Sequence, residues 1–547
     1  MGLSDQWYKN AILYCLDVET FVDSDGDGVG DFKGLTSRLD YLSGLGVTCL
    51  WLMPFYPTPG GDDGYDVADY GAVDPRLGTI ADFAEFVVEA RERGLHVIID
   101  FVPNHSSVQH PWFQAGRQDP NSPYRDYYVW REDDPGDTSA NVVFPGEQEG
   151  IWTFDEEAGA WYLHHFYEFQ ADLNFANPAV REEFRRVLGL WLQLGVDGFR
   201  IDAAPFIIDM IGVASRPGPG LAHEFLTEMK DFANVRNGSA ILLGEVDVSL
   251  SELADYFGGG NELQAIFNFP LNRNLFLGLA QESADPIKLG FKELPTIPER
   301  GQWVNFLRHH DELNLSRLTK VQRETVFETF GPEPTMQVYG RGLRRRLAPM
   351  LNGDQARLRM AYSLLFSLPG APMLFYGEEI GMGENLAVHG RLSVRTPMQW
   401  GPYPNGGFST ASPDDLVRPM LADGDYGYET VNVADQRADP DSLLNWQASL
   451  MRARRECGEI GAGAWQVMET GVDAVLGMRY DADDSAIIIV NNLSGRRISL
   501  NLALTENETK TATDILTDRR YDPLDPAAPK MRIEPYGFRW LRVRGIY

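Results

Sequence analysis

The chain has 547 residues, more than one hydrophobic core usually holds, so two or three domains are expected. Apolar residues make up 44% of it, an ordinary globular share that argues against a disordered or fibrous chain. The net charge of −31 argues against nucleic acid and anionic membrane surfaces, which need clustered Lys and Arg; it reads as a solubility feature.

The N-terminal stretch has no basic region followed by an apolar one, so no secretory signal is expected. The first strand is predicted at Ile12–Leu16, a helix at Arg38–Ser43 and a strand at Val47–Leu52. Ile80–Arg93 has helical spacing and stops at Gly94, and Val97–Phe101 follows as a strand. From about His105 to Asn177 the chain is rich in Asp, Pro, Gly and aromatics and reads as an irregular inserted domain (residues 105–176). The alternation resumes with a helix at Ala179–Leu194 and strands at Val196–Asp202, Ile241–Glu245, Trp303–Leu307 and Met373–Tyr376. Near-continuous apolar strands separated by helices predict a parallel sheet covered on its outside. From about Gly461, short alternating runs such as Ser485–Val490 and Phe538–Val543 predict a C-terminal antiparallel sandwich over 461–547. The longest apolar stretch, Ala361–Tyr376, is broken by Pro369, Gly370 and Pro372 and is too short to span a bilayer. Three cysteines are too few for a disulfide framework, and a reducing cytoplasm is expected. The sequence leaves the oligomeric state open.

Polar residues recur at the C-terminal ends of the predicted strands: Asp100, Asp202, Glu245, His310 and Asp311. A (β/α)8 barrel builds its active site at that face, so the expected fold is an α/β TIM barrel over 1–104 and 177–460. Paired carboxyl groups suit glycoside chemistry, in which one acid is ionised and attacks while the other carries a proton. Arg200 and Asp202 are two apart on a strand and share a side, so the cation is expected to keep Asp202 ionised. Glu245 ends the next strand, and Asp311 stands to raise its pKa by repulsion. Asp23-Ser24-Asp25-Gly26-Asp27-Gly28-Val29-Gly30-Asp31 spaces acids as an EF-hand loop does. It predicts Ca²⁺ on the carboxylates of Asp23, Asp25, Asp27 and Asp31 and the carbonyl of Val29.

Asp100-Phe101-Val102-Pro103-Asn104-His105, Gly198-Phe199-Arg200-Ile201-Asp202, Gly244-Glu245-Val246 and Phe306-Leu307-Arg308-His309-His310-Asp311 resemble the four signature regions of glycoside hydrolase family 13, the α-amylase family. Gln170-Ala171-Asp172-Leu173-Asn174 resembles its further region at the end of the inserted domain. The resemblance implies Asp202 as nucleophile, Glu245 as general acid/base and Asp311 as transition-state stabiliser. It implies Asp62, Tyr65, His105, Arg200, His310 and Arg395 as ligands of the glucosyl unit, and a second, weaker calcium site at Asn104 and Asp172.

Within the family, Trp7-Tyr8-Lys9-Asn10-Ala11, Leu50–Pro57, His110–Gln114, Asp311-Glu312-Leu313 and Arg344–Pro349 look most like the corresponding segments of trehalose synthases, with four departures near the pocket: Glu168-Phe169 before Gln170, Val246-Asp247 after the acid/base, His309 before His310, and Gly390. The departures spare the residues expected to hold the glucosyl unit and alter its surroundings. The leading expectation is therefore an exo-acting retaining α-glucosidase on short α-glucosides such as maltose. The alternative is maltose–trehalose isomerisation.

Overall fold

The computed structural model describes residues 3–207, 221–482, 484–525 and 530–544. Eight parallel strands close into a barrel: β1 (Leu13–Leu16), β2 (Cys49–Leu52), β3 (His96–Phe101), β4 (Gly198–Ile201), β5 (Ile241–Gly244), β6 (Ala265–Phe267), β7 (Gln302–Phe306) and β8 (Ala371–Phe375). Each pairs with its neighbours in order, and β8 closes on β1 through Leu13↔Met373. The strands are apolar because barrel packing and outer helices cover both faces. The barrel is the predicted one, with β6 as an addition that the sequence pattern does not reveal. It spans three residues, too few to carry a period.

Local signals place the helices. The helix α1 (Ile80–Glu92) starts at Thr79, whose side chain and that of Asp82 cap one another, and Gly94 beyond its end takes φ +73. The helix α2 (Pro178–Gln193) starts at Asn177, which accepts from the Ala179 amide, with Pro178 in the first turn.

Between β3 and α2 the chain leaves the barrel. His105–Ser107 pairs antiparallel with Gln170–Asp172, and Trp130–Arg131, Ala160–Leu163 and Trp152–Asp155 form a small sheet. Its aromatics pack on each other: Phe113 lies 5.3 Å from Trp130 and 5.1 Å from Tyr162, ring centre to ring centre. They form a core there.

The C-terminal sheet runs β9 (Ala464–Met468), β10 (Val475–Asp481), β11 (Ser485–Asn492), β12 (Thr513–Thr517) and β13 (Phe538–Arg544), in the order β9-β10-β11-β13-β12. Ala486, Ile488 and Val490 face a core shared with Leu500 and Met531 of a two-stranded ribbon, while Ile487 and Ile489 join the barrel's core. Both faces are covered, so β11 is apolar without alternation from Ala486 to Val490. Cys15, Cys49 and Cys457 are buried and free. No helix among the described residues is long and apolar enough to cross a membrane.

Candidate active site

Asp100 lies on β3 opposite Arg200 on β4, Asp202 directly follows β4, and Glu245 directly follows β5. One guanidinium joins these acids. Arg200 Nη1 donates to Asp100 Oδ1 and to Asp202 Oδ1, both at 2.6 Å, and Nη2 lies 2.9 Å from Glu245 Oε2. Glu245 Oε2 also accepts from the Ala203 amide at 3.1 Å. Ala203 takes φ +49 directly after Asp202, a left-handed turn that L residues adopt rarely. Trp51 Nε1 and the Tyr65 hydroxyl both donate to Asp100 Oδ2 at 3.1 Å.

Burial pushes Asp202 up to about 7; Arg200 opposes that push, and Asp100 and Asp311 reinforce it. Burial pushes Glu245 up to about 7 as well, again against Arg200 and with Asp202 and Asp311 adding to it. Asp100 reaches about 6 by burial against Arg200. Arg200 alone therefore does not hold Asp202 in the ordinary carboxylate range, contrary to the expectation from its spacing. One cation is shared among three acids, Asp100 and Asp202 buried and Glu245 half-buried, and desolvation outweighs its share. Asp202 and Glu245 thus stand near neutrality and Asp100 below it, at about 6.

Asp311 is the opposite case. Burial would raise it, but His310, Arg391 and Arg395 outweigh burial and hold it well below the usual range. Arg391 Nη1 reaches Asp311 Oδ1 at 2.6 Å, Arg395 Nη2 reaches the same oxygen at 2.9 Å, and His310 Nε2 lies 3.0 Å from Asp311 Oδ2. Burial pushes His310 down to about 3, so its ring is neutral near pH 7. Its Nε2 also meets the Tyr65 hydroxyl at 2.8 Å. His105 Nε2 donates to the Tyr65 carbonyl at 3.2 Å, which fixes that ring against the same tyrosine.

The structure thus brings Asp62, Tyr65, His105, Arg200, Asp202, Glu245, His310, Asp311 and Arg395 to one end of the barrel. Within the set Arg395 is wholly buried; its guanidinium meets Asp63, Asp311 and the His310 carbonyl, so it is committed to protein partners. Arg391, absent from the expected set, reaches the pocket. Its Nη2 meets Asp62 Oδ1 at 2.8 Å while Nη1 holds Asp311, and its guanidinium lies 4.6 Å from the centre of the Phe144 ring. The available signal is a second arginine four residues before Arg395. Arg391 separates two cavities. One, of about 730 Å³, borders Glu245 and Asp311; the other, of about 500 Å³, borders Asp62 and Tyr167.

The departures line these cavities. His309 and Asp247 border the larger one, where Asp247 is held by Arg273 and Arg317. Phe169, stacked on Tyr167, and Gly390 border the smaller one, and a Cβ at Gly390 would meet nothing within 4 Å.

The carboxylates of Asp23, Asp25 and Asp27 converge, with ligand oxygens within 4.8 Å of one another. An all-oxygen set of this kind fits a hard cation. Asp31 stands outside the group. It caps a helical turn through the Gly34 amide at 2.7 Å and accepts from Ser24. At the second expected site, Asp172 is engaged by His165 and by Asn104 Nδ2, while Asn104 Oδ1 is buried without a protein partner.

Buried and half-buried acids clustered from several strand ends at the C-terminal face of a (β/α)8 barrel define a class of barrel enzyme working on a polar substrate. The family model for the α-amylase catalytic domain matches residues 18–329 and 337–463. The trehalose synthase of Pimelobacter sp. (strain R48) is 38% identical over 556 residues, covering 99% of this chain and 97% of that protein. The trehalose synthase/amylase TreS of Mycobacterium tuberculosis (strain ATCC 25618 / H37Rv) is 38% identical over 544 residues, covering 98% and 90%. Among solved structures, a single-site mutant of the trehalulose synthase MutB in complex with TRIS superposes with a TM-score of 0.78 at 26% identity, covering 98% of this chain and 100% of that one. The chain belongs to the α-amylase family, glycoside hydrolase family 13, and is one of its enzymes.

Proposed function

We propose that this enzyme interconverts maltose and trehalose by double displacement within one pocket. The observation that carries the reading is the 38% identity to trehalose synthases over essentially the whole length of both chains. It favours the alternative over the expected α-glucosidase.

Asp202, ionised, attacks C1 of the non-reducing glucose of maltose, and the bond from C1 to O4 of the second glucose breaks. Glu245 gives its proton to that leaving oxygen. Asp202 and Glu245 sit on the two amino nitrogens of Arg200, close together, as a retaining mechanism requires. Asp311, kept anionic, would accept from sugar hydroxyls and stabilise the positive charge developing at C1. The freed glucose turns over, and its O1 attacks C1 of the glucosyl–Asp202 ester. Glu245 takes the O1 proton, and two inversions leave an α,α-1,1 link. Water in place of glucose at that step yields hydrolysis, a second reading favoured by the cavity of about 730 Å³ beside Glu245.

Incubating the pure enzyme with maltose and separating the products tests both. Mainly trehalose with little glucose is expected. Mostly glucose would sink the isomerase reading in favour of an exo-acting α-glucosidase.

Asp23, Asp25 and Asp27 would hold Ca²⁺, which would brace the loop after β1 electrostatically. A chelator is then expected to lower Tm by a few degrees, and Asp25→Asn to abolish that response. An identical Tm with and without chelator would remove the ion from the proposal.

A further inference from the structure

The larger cavity is roofed partly by a hairpin that belongs to neither the barrel nor the β3–α2 excursion. Gln337–Val338 pairs with Gly342–Leu343, and Gly342–Leu343 pairs with Leu313–Asn314. Leu313 lies two residues beyond Asp311, so the hairpin is an extension of the segment that carries this acid. At its tip Tyr339 takes φ +55 and Gly340 φ +64. Left-handed backbone is ordinary for glycine and uncommon for tyrosine, so the surroundings hold Tyr339 there. Its ring lies 5.0 Å from that of Phe144, on the inserted segment.

Arg341 makes the second link to the same place. Its Nη2 donates to the Val143 carbonyl at 2.7 Å and lies 3.6 Å from Glu312 Oε1. Glu312 follows Asp311, and Phe144 lies under the Arg391 guanidinium that bridges Asp62 and Asp311. One side chain therefore ties three elements around the cavity that Glu245 and Asp311 border: hairpin, inserted segment and the loop after β7.

We propose that Arg341 is a positioning residue that latches the inserted segment over the acceptor side of the pocket and thereby sets how glucosyl–Asp202 divides between glucose and water. The inference rests on the isomerase reading above. A released glucose stays available for the second displacement only while the mouth is closed around it, and the same closure keeps water out. Arg341 is placed to act on that step because it grips the backbone of the inserted segment at Val143.

The test compares wild type with Arg341→Ala and Arg341→Lys on maltose. For the alanine variant, the glucose-to-trehalose ratio is expected to rise severalfold. Labelled free glucose should also enter the disaccharide more readily. Lysine, which keeps the charge toward Glu312 but loses the fork, is expected to fall between. Amide exchange over residues 141–148 should quicken by an order of magnitude in the alanine variant without substrate. An unchanged product ratio overturns the specificity role, even with faster exchange. Unchanged exchange overturns the latch. A wild type that forms no trehalose would instead fail the isomerase reading, and exchange would still decide the latch.

Discussion

Two arginine centres face each other across the pocket, made of the same residue types and opposite in effect. Around Arg200, one cation serves Asp100, Asp202 and Glu245, and burial carries those acids up to about 6 or 7. Around Asp311, His310, Arg391 and Arg395 converge on one carboxylate, and that acid stays far below the usual range although it too is largely withdrawn from solvent. Burial is common to both centres. The number of cations per acid decides which carboxyl group keeps a proton near neutrality and which stays charged.

The largest expected effect of breaking this contrast is at Asp202, the proposed nucleophile. Asp202→Ala should lower kcat by a factor on the order of 10⁴ or more, with unchanged circular dichroism. Full activity in that variant would move the nucleophile elsewhere. Arg200→Met leaves the buried Asp100 and Asp202 and the half-buried Glu245 with no cation. It should destabilise the fold by about 3–5 kcal/mol in a denaturant titration at pH 8, and by less at pH 5, where the acids can protonate. Equal losses at both pH values would mean that Arg200 acts by packing.

On the other side, Arg391→Ala keeps Arg395 on Asp311 and removes the bridge to Asp62. A fall in kcat/KM of roughly 10–100-fold is expected, the size of one charge-assisted hydrogen bond. A loss confined to kcat would place Arg391 in the chemistry rather than in holding the sugar.

The smallest effects are in the pH dependence. With Asp202 and Glu245 both near 7, kcat/KM should be bell-shaped about neutrality. Raised folded-state values mean that ionising these acids costs stability as pH rises. Asp202→Asn should therefore raise Tm at pH 8. The gain should shrink as pH falls through about 7 toward the ordinary carboxylate range, where folded and unfolded forms are both protonated. A gain that persists at acid pH would contradict the buried-charge account.

Much of the molecule is legible from residue order. Seven barrel strands, the stop of α1 at Gly94, and the run of acids at strand ends follow from apolar periodicity, turn chemistry and motif spacing. β6 is not, because Ala265–Phe267 is too short to show a period. β11 differs from the alternating strand expected of it because nothing local reveals that the barrel covers its second face. Arg391 escapes a local reading because its role depends on Asp62 and Asp311, 329 and 80 residues away.

The sequence by itself determined which acids and arginines exist and which strand ends carry them, because those follow from local pattern and backbone geometry. Only the tertiary structure decided how many cations each acid shares, which arginine reaches the pocket and which segments border the larger cavity. Those depend on desolvation and on distances between segments far apart in the chain, and neither is encoded in any local window of residues.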